Sequence, residues 1–227
     1  MSDAKRNVSC WLRVLLGIIV FITFMLAAVI VLAVRAHGFL SVQSPVQTDI
    51  IVVSGTVSDS ALERIAAGPG ASQEVRILTV GGPIGRGSHL SSYRDYAALA
   101  AATLQQLGIP ASRLVAIPAP RSERDRVYAT AQALQDWLTS SDARINSLNV
   151  YAVGVRGRRT WILFREALGP EVDIGIVSLP DEDYDSAKWW STSEGFRTVT
   201  GELIAYLYVK TLFRPDEQES ASSPDPN

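Results

Sequence analysis

From Val14 to Val34 the chain reads VLLGIIVFITFMLAAVIVLAV, 21 residues without one charged side chain. Backbone polar groups in lipid must be satisfied within their own segment, so a stretch like this crosses a bilayer as a helix. At 1.5 Å per residue it reaches about 30 Å, the thickness of the hydrocarbon core. Lys5, Arg6 and Arg13 precede it, and Arg35 and His37 follow. The basic excess in front predicts a cytoplasmic N-terminus and an extracytoplasmic chain from about residue 38 onward. A cleaved signal peptide is the competing reading. Its apolar region normally runs ~7–15 residues, and Val34-Arg35-Ala36 is a poor cleavage site. The expected organisation is therefore a cytoplasmic segment 1–13, a transmembrane anchor 14–34 in the plasma (inner) membrane, a linker 35–47, a folded domain 48–213 on the periplasmic side, and a polar, disordered tail 214–227.

Composition narrows what the domain can be. The chain has 227 residues and a formal net charge of −2, so no global field draws it to nucleic acid. Its single cysteine, Cys10, precedes the anchor, which excludes an intrachain disulfide and a Cys/His zinc site in the domain. Cys10 is either an acylation site near the bilayer or a plain thiol. The only histidines are His37 and His89. A Ser-His-Asp triad would have to use His89, and no Gly-x-Ser-x-Gly turn accompanies it.

Beyond the linker, short Val/Ile-rich runs alternate with helical stretches. The runs are Asp49–Gly55, Val75–Gly82, Arg113–Pro118, Leu148–Val155 and Asp173–Pro180. Their near-continuous hydrophobicity is that of strands covered on both faces. Helices are expected over Ser60–Ala67, Ser91–Leu107, Glu123–Ser140 and Arg158–Leu168. A last helix opens at the capping-box spacing of Ser191 and Glu194 and runs to about Phe213. Its apolar residues Phe196, Val199, Leu203, Ile204 and Leu207 read as core; Trp189 and Trp190 are either a membrane-interface or ligand-stacking pair or, more simply, pack this helix onto the sheet. The alternation predicts an α/β domain with a mostly parallel five-stranded sheet and helices on both faces.

In such sheets ligands bind beyond the carboxyl ends of the strands. Ser54 and Gly55 follow the first strand here. GGPIGRGS, with Gly81, Gly82 and Arg86, follows the second. Arg121, Arg124 and Arg126 follow the third, Arg156, Arg158 and Arg159 the fourth, and the acidic Asp181–Asp185 the fifth. Guanidinium forks and glycine-loop amides both suit phosphate or carboxylate oxygens, so the edge points to an anionic ligand. Ser54, Gly55, Gly81, Gly82, Arg86, Arg126, Arg156 and Arg159 are the candidate contacts. Two blander readings stand beside this one. The bias of 18 arginines over 3 lysines can reflect nucleotide composition, and the loop arginines can pair with the acids of the same edge. The acidic loop is either a solvated turn or a Mg²⁺ ligand set working with a phosphate. GGPIGRGS is neither a dinucleotide fingerprint nor a Walker loop.

These stretches together resemble the YdcF-like family of bacterial envelope proteins, the group that includes SanA and ElyC. TDIIVVSG resembles the family's opening strand, with Arg64 at a helix arginine. The segment from Thr79 to Val115 resembles its glycine loop, long helix and Gly-Ile-Pro turn, DRVYATA (Asp125–Ala131) its third helix start, and VGVRGRRTWILFREALG with DYDSAKWWSTSEGFRTVTGELIAYLY its fourth crossover and closing helix. Arg156 stands where the family has histidine and Val127 where it has threonine; Arg159 and Asp125 match. The resemblance implies a Rossmann-like fold, a single N-terminal anchor and a role in peptidoglycan or undecaprenyl-phosphate lipid-carrier metabolism. The expected partner is then a phosphorylated lipid carrier or similar anion. The alternatives are a transferase or hydrolase on a phosphate- or glycosyl-linked substrate, with Asp125 as its acid/base, and a non-catalytic interaction module. No cofactor is specified.

Overall fold

Every side chain from Ile50 to Val53 is buried, which is possible only if helices cover both faces of their strand. The computed structural model describes residues 2–215 except 86, 87, 124, 142 and 144. The rest of the expected disordered tail, 216–227, lies outside the described residues.

The chain opens with α1 (Ser2–Leu40), continues through a two-residue strand β1 (Gln43–Ser44), and then alternates: β2 (Ile50–Ser54), α2 (Asp59–Ala67), β3 (Arg76–Gly81), α3 (Tyr96–Gln106), β4 (Leu114–Pro118), α4 (Arg126–Ser140), β5 (Ser147–Val153), α5 (Gly157–Leu168), β6 (Asp173–Leu179) and α6 (Ser193–Thr211). The sheet order is β1-β6-β5-β2-β3-β4, with β2 to β6 mutually parallel. From β2 in the middle the chain runs outward through β3 and β4, then returns to the other side of β2 with β5 and β6. Ile50, Val52, Leu78 and Val150 pack against Ala131 and Leu134 of α4 and Phe164 of α5. The alternate residues Ile51, Val53 and Ile77 pack against Leu62 and Ile65 of α2 and Leu104 of α3.

The sheet has six strands, not five. The extra strand falls in the presumed linker and pairs antiparallel with β6 through Gln43↔Val177 and Ser44↔Ile176. Gly175 explains how the segment gets there. A Cβ on it would stand 2.0 Å from Asn149 Oδ1 and 2.6 Å from Val46 N. A bare strand position thus lets the backbone cross β6 and reach the buried Asn149. Asn149 Nδ2 donates to Val46 O at 2.8 Å and its Oδ1 accepts from Val46 N at 2.9 Å.

The apolar helix α1 has a candidate span over Leu15–Leu40 with mean hydropathy 3.1, and its most apolar stretch is not covered by the protein. It is long and apolar enough to serve as a membrane anchor or signal sequence. Its last turn belongs to the domain. Leu40 is fully buried with Val155, Tyr184, Trp189 and Val199, and Ala33 and Ala36 pack on the same cluster beside Leu203 and Tyr206 of α6.

Two helices start later than the sequence pattern predicts, because aspartates set their ends. Asp95 caps α3, accepting from Ala98 N at 2.8 Å, and Asp125 caps α4. α6 departs further from expectation. It packs on α5, on α1 and on the short 3-10 stretch Ser186–Ser191, not on the sheet, with Val199 and Val209 buried. Phe196, Ile204 and Leu207, read as core from their spacing, are exposed.

Candidate functional site

Between the carboxyl ends of β2 and β5, where the strand order reverses, lies a narrow cleft. Ligands favour this position in open parallel sheets because the loops on either side of the reversal diverge and leave a crevice. Ser54, Thr56 and Val57 form one wall, Ala152 and Val153 the base, and Val127 and Thr130 of α4 another side. Arg156, Arg159, Thr160 and Phe164 close it from α5 and the turn before it. The Ser54 and Thr56 hydroxyls lie 2.9 Å apart and can together face a polar group.

Under one side of the cleft runs an ion-pair network that joins three helices. Asp125 Oδ1 accepts from Val127 N at 2.8 Å and Tyr128 N at 3.0 Å, which caps the N-terminus of α4. Its Oδ2 accepts from Arg159 Nη1 at 3.3 Å. Arg159 then forks onto Glu202 of α6, Nε to Oε2 at 2.9 Å and Nη2 to Oε1 at 3.1 Å. All three side chains are largely buried, with 14%, 8% and 14% exposure for Arg159, Asp125 and Glu202. Burial by itself would lower the Arg159 pKa, but the bonds and charges of Glu202 and then Asp125 outweigh it and hold the guanidinium above its ordinary value. Arg159 is thus committed to carboxylates of its own chain.

Arg156 differs. Its side chain is 51% exposed at the rim of the cleft, and its contact with Glu202 Oε1 is loose at 3.9 Å. The third arginine of the same turn, Arg158, leaves the cleft altogether. It stacks over Phe39 at 4.0 Å and its Nε donates to Phe39 O at the end of α1, where a cation complements the carbonyl end of the helix. The turn after β5 therefore connects the cleft directly to the end of the apolar helix.

Of the residues expected in the site, Ser54, Arg156 and Arg159 line the cleft, and Asp125 lies beneath it through Arg159. Gly55, Gly81, Gly82 and Arg126 are not among the lining residues described. A Cβ on Gly55 would stand 2.3 Å from Tyr96 O, and one on Gly81 would stand 2.9 Å from Ala97 N and from Tyr96 Cβ. Both glycines admit the start of α3 against the strand ends, so packing accounts for them. Gly82 has room for a Cβ, and Arg126 is exposed at the head of α4. Arg86 and Arg124 lie outside the described residues. Val127 and Arg156 both line the cleft.

Sequence reasoning missed Glu202, Thr130 and Thr160. A signal for Glu202 existed: Gly195, Val199, Glu202, Tyr206 and Val209 follow i, i+4, i+7, i+11, i+14, so the acid stands on the inward stripe of α6. In the acidic loop, Glu182 accepts from Arg64 Nη2 at 2.6 Å, which holds its carboxyl below the usual range. Among the described residues no three His, Cys, Asp or Glu side chains are grouped to hold a metal ion. Tyr184 is buried without a hydrogen-bond partner for its hydroxyl among the described residues, and burial, followed by the charge of Asp181, pushes it up to about 12. No protein-family model matches the chain, and no curated protein matches it in sequence.

Proposed function

We propose that this is a membrane-anchored cell-envelope protein of YdcF-like type, with a Rossmann-like domain that binds a phosphorylated ligand at the membrane surface. The observation that carries the reading is the position of Arg156: an exposed cation on the rim of the cleft at the strand-order reversal, in the same turn that holds the end of α1. A ligand whose anionic head enters between Arg156 and the Ser54–Thr56 hydroxyls could keep an isoprenoid tail in the bilayer. The strand order agrees with a Rossmann-like half-sheet, 3-2-1-4-5 when counted from β2. The basic residues before the span support an uncleaved anchor in the inner membrane with the domain periplasmic. Ala33 and Ala36 pack on the cluster around Leu40, so the last turns of α1 belong to the domain, which favours the uncleaved form.

Binding is favoured over catalysis by Asp125. One of its oxygens caps α4 and the other accepts from Arg159, so its geometry supplies structure where an acid/base would need access to a substrate proton.

The test is thermal unfolding of the full chain in nanodiscs with isoprenoid phosphates, nucleotide sugars and plain nucleotides. An isoprenoid phosphate should raise Tm in a salt-sensitive way. Arg156→Ala should abolish that shift while leaving Tm without ligand within a few degrees, because the residue is exposed and its one ion pair is long. No shift with any class, or a shift that survives Arg156→Ala, would overturn the assignment.

A further inference from the structure

We propose that α6 lies on the bilayer as a second membrane contact, so that the domain rests on the lipid surface beside its own anchor; this rests on reading α1 as a membrane span. α6 shows the solvent Phe196, Ile204, Leu207, Tyr208 and Leu212, each at least 40% exposed, and Trp190 just before the helix adds to the patch. The only acid between Phe196 and Leu212 is Glu202, and it turns inward to Arg159. The exposed side therefore carries large apolar groups, Gly201 and Thr211, and the cation Lys210, while Arg197 forks onto Glu194 of the first turn at 2.8 and 2.6 Å. Interfacial helices have this composition: apolar side chains for the acyl boundary, aromatics for the headgroup level, bases for anionic lipid.

The position of α6 selects the bilayer as the occupant. Its Leu203 and Tyr206 pack on the cluster shared with Ala33, Ala36 and Leu40 of α1, and the Tyr206 ring meets Phe39 edge to face at 5.3 Å. Ala33 belongs to the uncharged stretch itself, so α6 touches the anchor where it leaves the hydrocarbon. The exposed apolar side of α6 thus lies beside the end of α1. The orientation is held firmly: Leu40 is buried, Arg158 grips the end of α1, and residues 43–46 are tied to β6 and Asn149. A domain fixed in this way cannot swing α6 off the surface without breaking its own core.

The experiment uses the full chain in liposomes containing anionic lipid. Single cysteines are introduced into a Cys10→Ser background as Ile204→Cys, Leu207→Cys, Met25→Cys and Glu63→Cys, and each carries an environment-sensitive fluorophore. At 204 and 207 the emission should shift to the blue and be quenched by nitroxide-bearing lipids, as at 25, while 63 on α2 should be quenched by aqueous iodide. If 25 is quenched from lipid but 204 and 207 are quenched by iodide, α6 faces water and the inference fails with the anchor intact. If 25 is also quenched by iodide, the anchor reading fails with it. Blue-shifted emission at 204 and 207 that neither quencher reaches, and that is lost on diluting protein into lipid, would place a second copy on α6 and overturn the proposal.

Discussion

The turn after β3 and the turn after β5 look equally suited to an anion in the sequence, one by its glycines and the other by its arginines. They are built for different purposes. Gly81, where the β3 turn begins, is spent on the approach of α3, as is Gly55 beyond the end of β2: the Tyr96 backbone and Cβ occupy the space a side chain would need. The β5 turn divides its cations. Arg159 is buried among carboxylates, Arg158 holds the anchor, and only Arg156 faces the cleft with charge available. Residue type identifies what a loop could bind; the partners already supplied by the protein decide what is left to offer.

The largest effect should come from Arg159→Ala. It would remove the buried cation that Asp125 and Glu202 share, and removing one member of a buried pair typically costs about 3–5 kcal/mol. Chemical denaturation of the full chain in detergent should show a loss of this order, together with weaker coupling of α4, α5 and α6. A loss below 1 kcal/mol, on the order expected of an exposed pair, would erase the contrast with Arg156.

Gly55→Ala and Gly82→Ala sharpen the other side of the comparison. The first drives a methyl into the Tyr96 backbone, and overpacking of this kind costs about 1–3 kcal/mol. The second meets nothing closer than Pro120 O at 3.6 Å and should be close to neutral. Equal tolerance of both would contradict the packing role of Gly55.

Tyr184→Phe should be the mildest at neutral pH, since the hydroxyl it removes has no partner among the described residues. Its effect appears in alkali. The folded-state pKa, about 12, exceeds the ordinary value of 10, so the unfolded chain loses this proton first. The contribution is complete below pH 10 and falls as pH rises toward 12. The Phe variant should therefore lose less stability than the parent across that window when unfolding is followed by denaturant titration; parallel curves would contradict the burial of Tyr184.

Much of the scaffold was legible. Five strands and their helices lie within a few residues of the positions read from Val/Ile runs and stop signals, because a strand buried on both faces admits few polar residues. Helix starts were less accurate where Asp95 and Asp125 act as caps inside longer helix-like stretches. The sixth strand was not legible: Gln43 and Ser44 are polar, and they pair only because Gly175 and Asn149, over a hundred residues away, receive them. Ser54, Arg156 and Arg159, singled out for their place at strand ends, line the cleft. The division of labour among the arginines depended on Glu202, which belongs to a different helix.

What the sequence determined by itself is local and periodic: an apolar span of membrane length, alternating α/β elements, and a cationic carboxyl edge. These follow from hydrophobicity and chain geometry within single segments. The tertiary structure decided which cation stays available, which glycines are packing devices, and which side of α6 is left uncovered. Each of these depends on the desolvation and pairing of groups distant in sequence, and no single segment contains both partners.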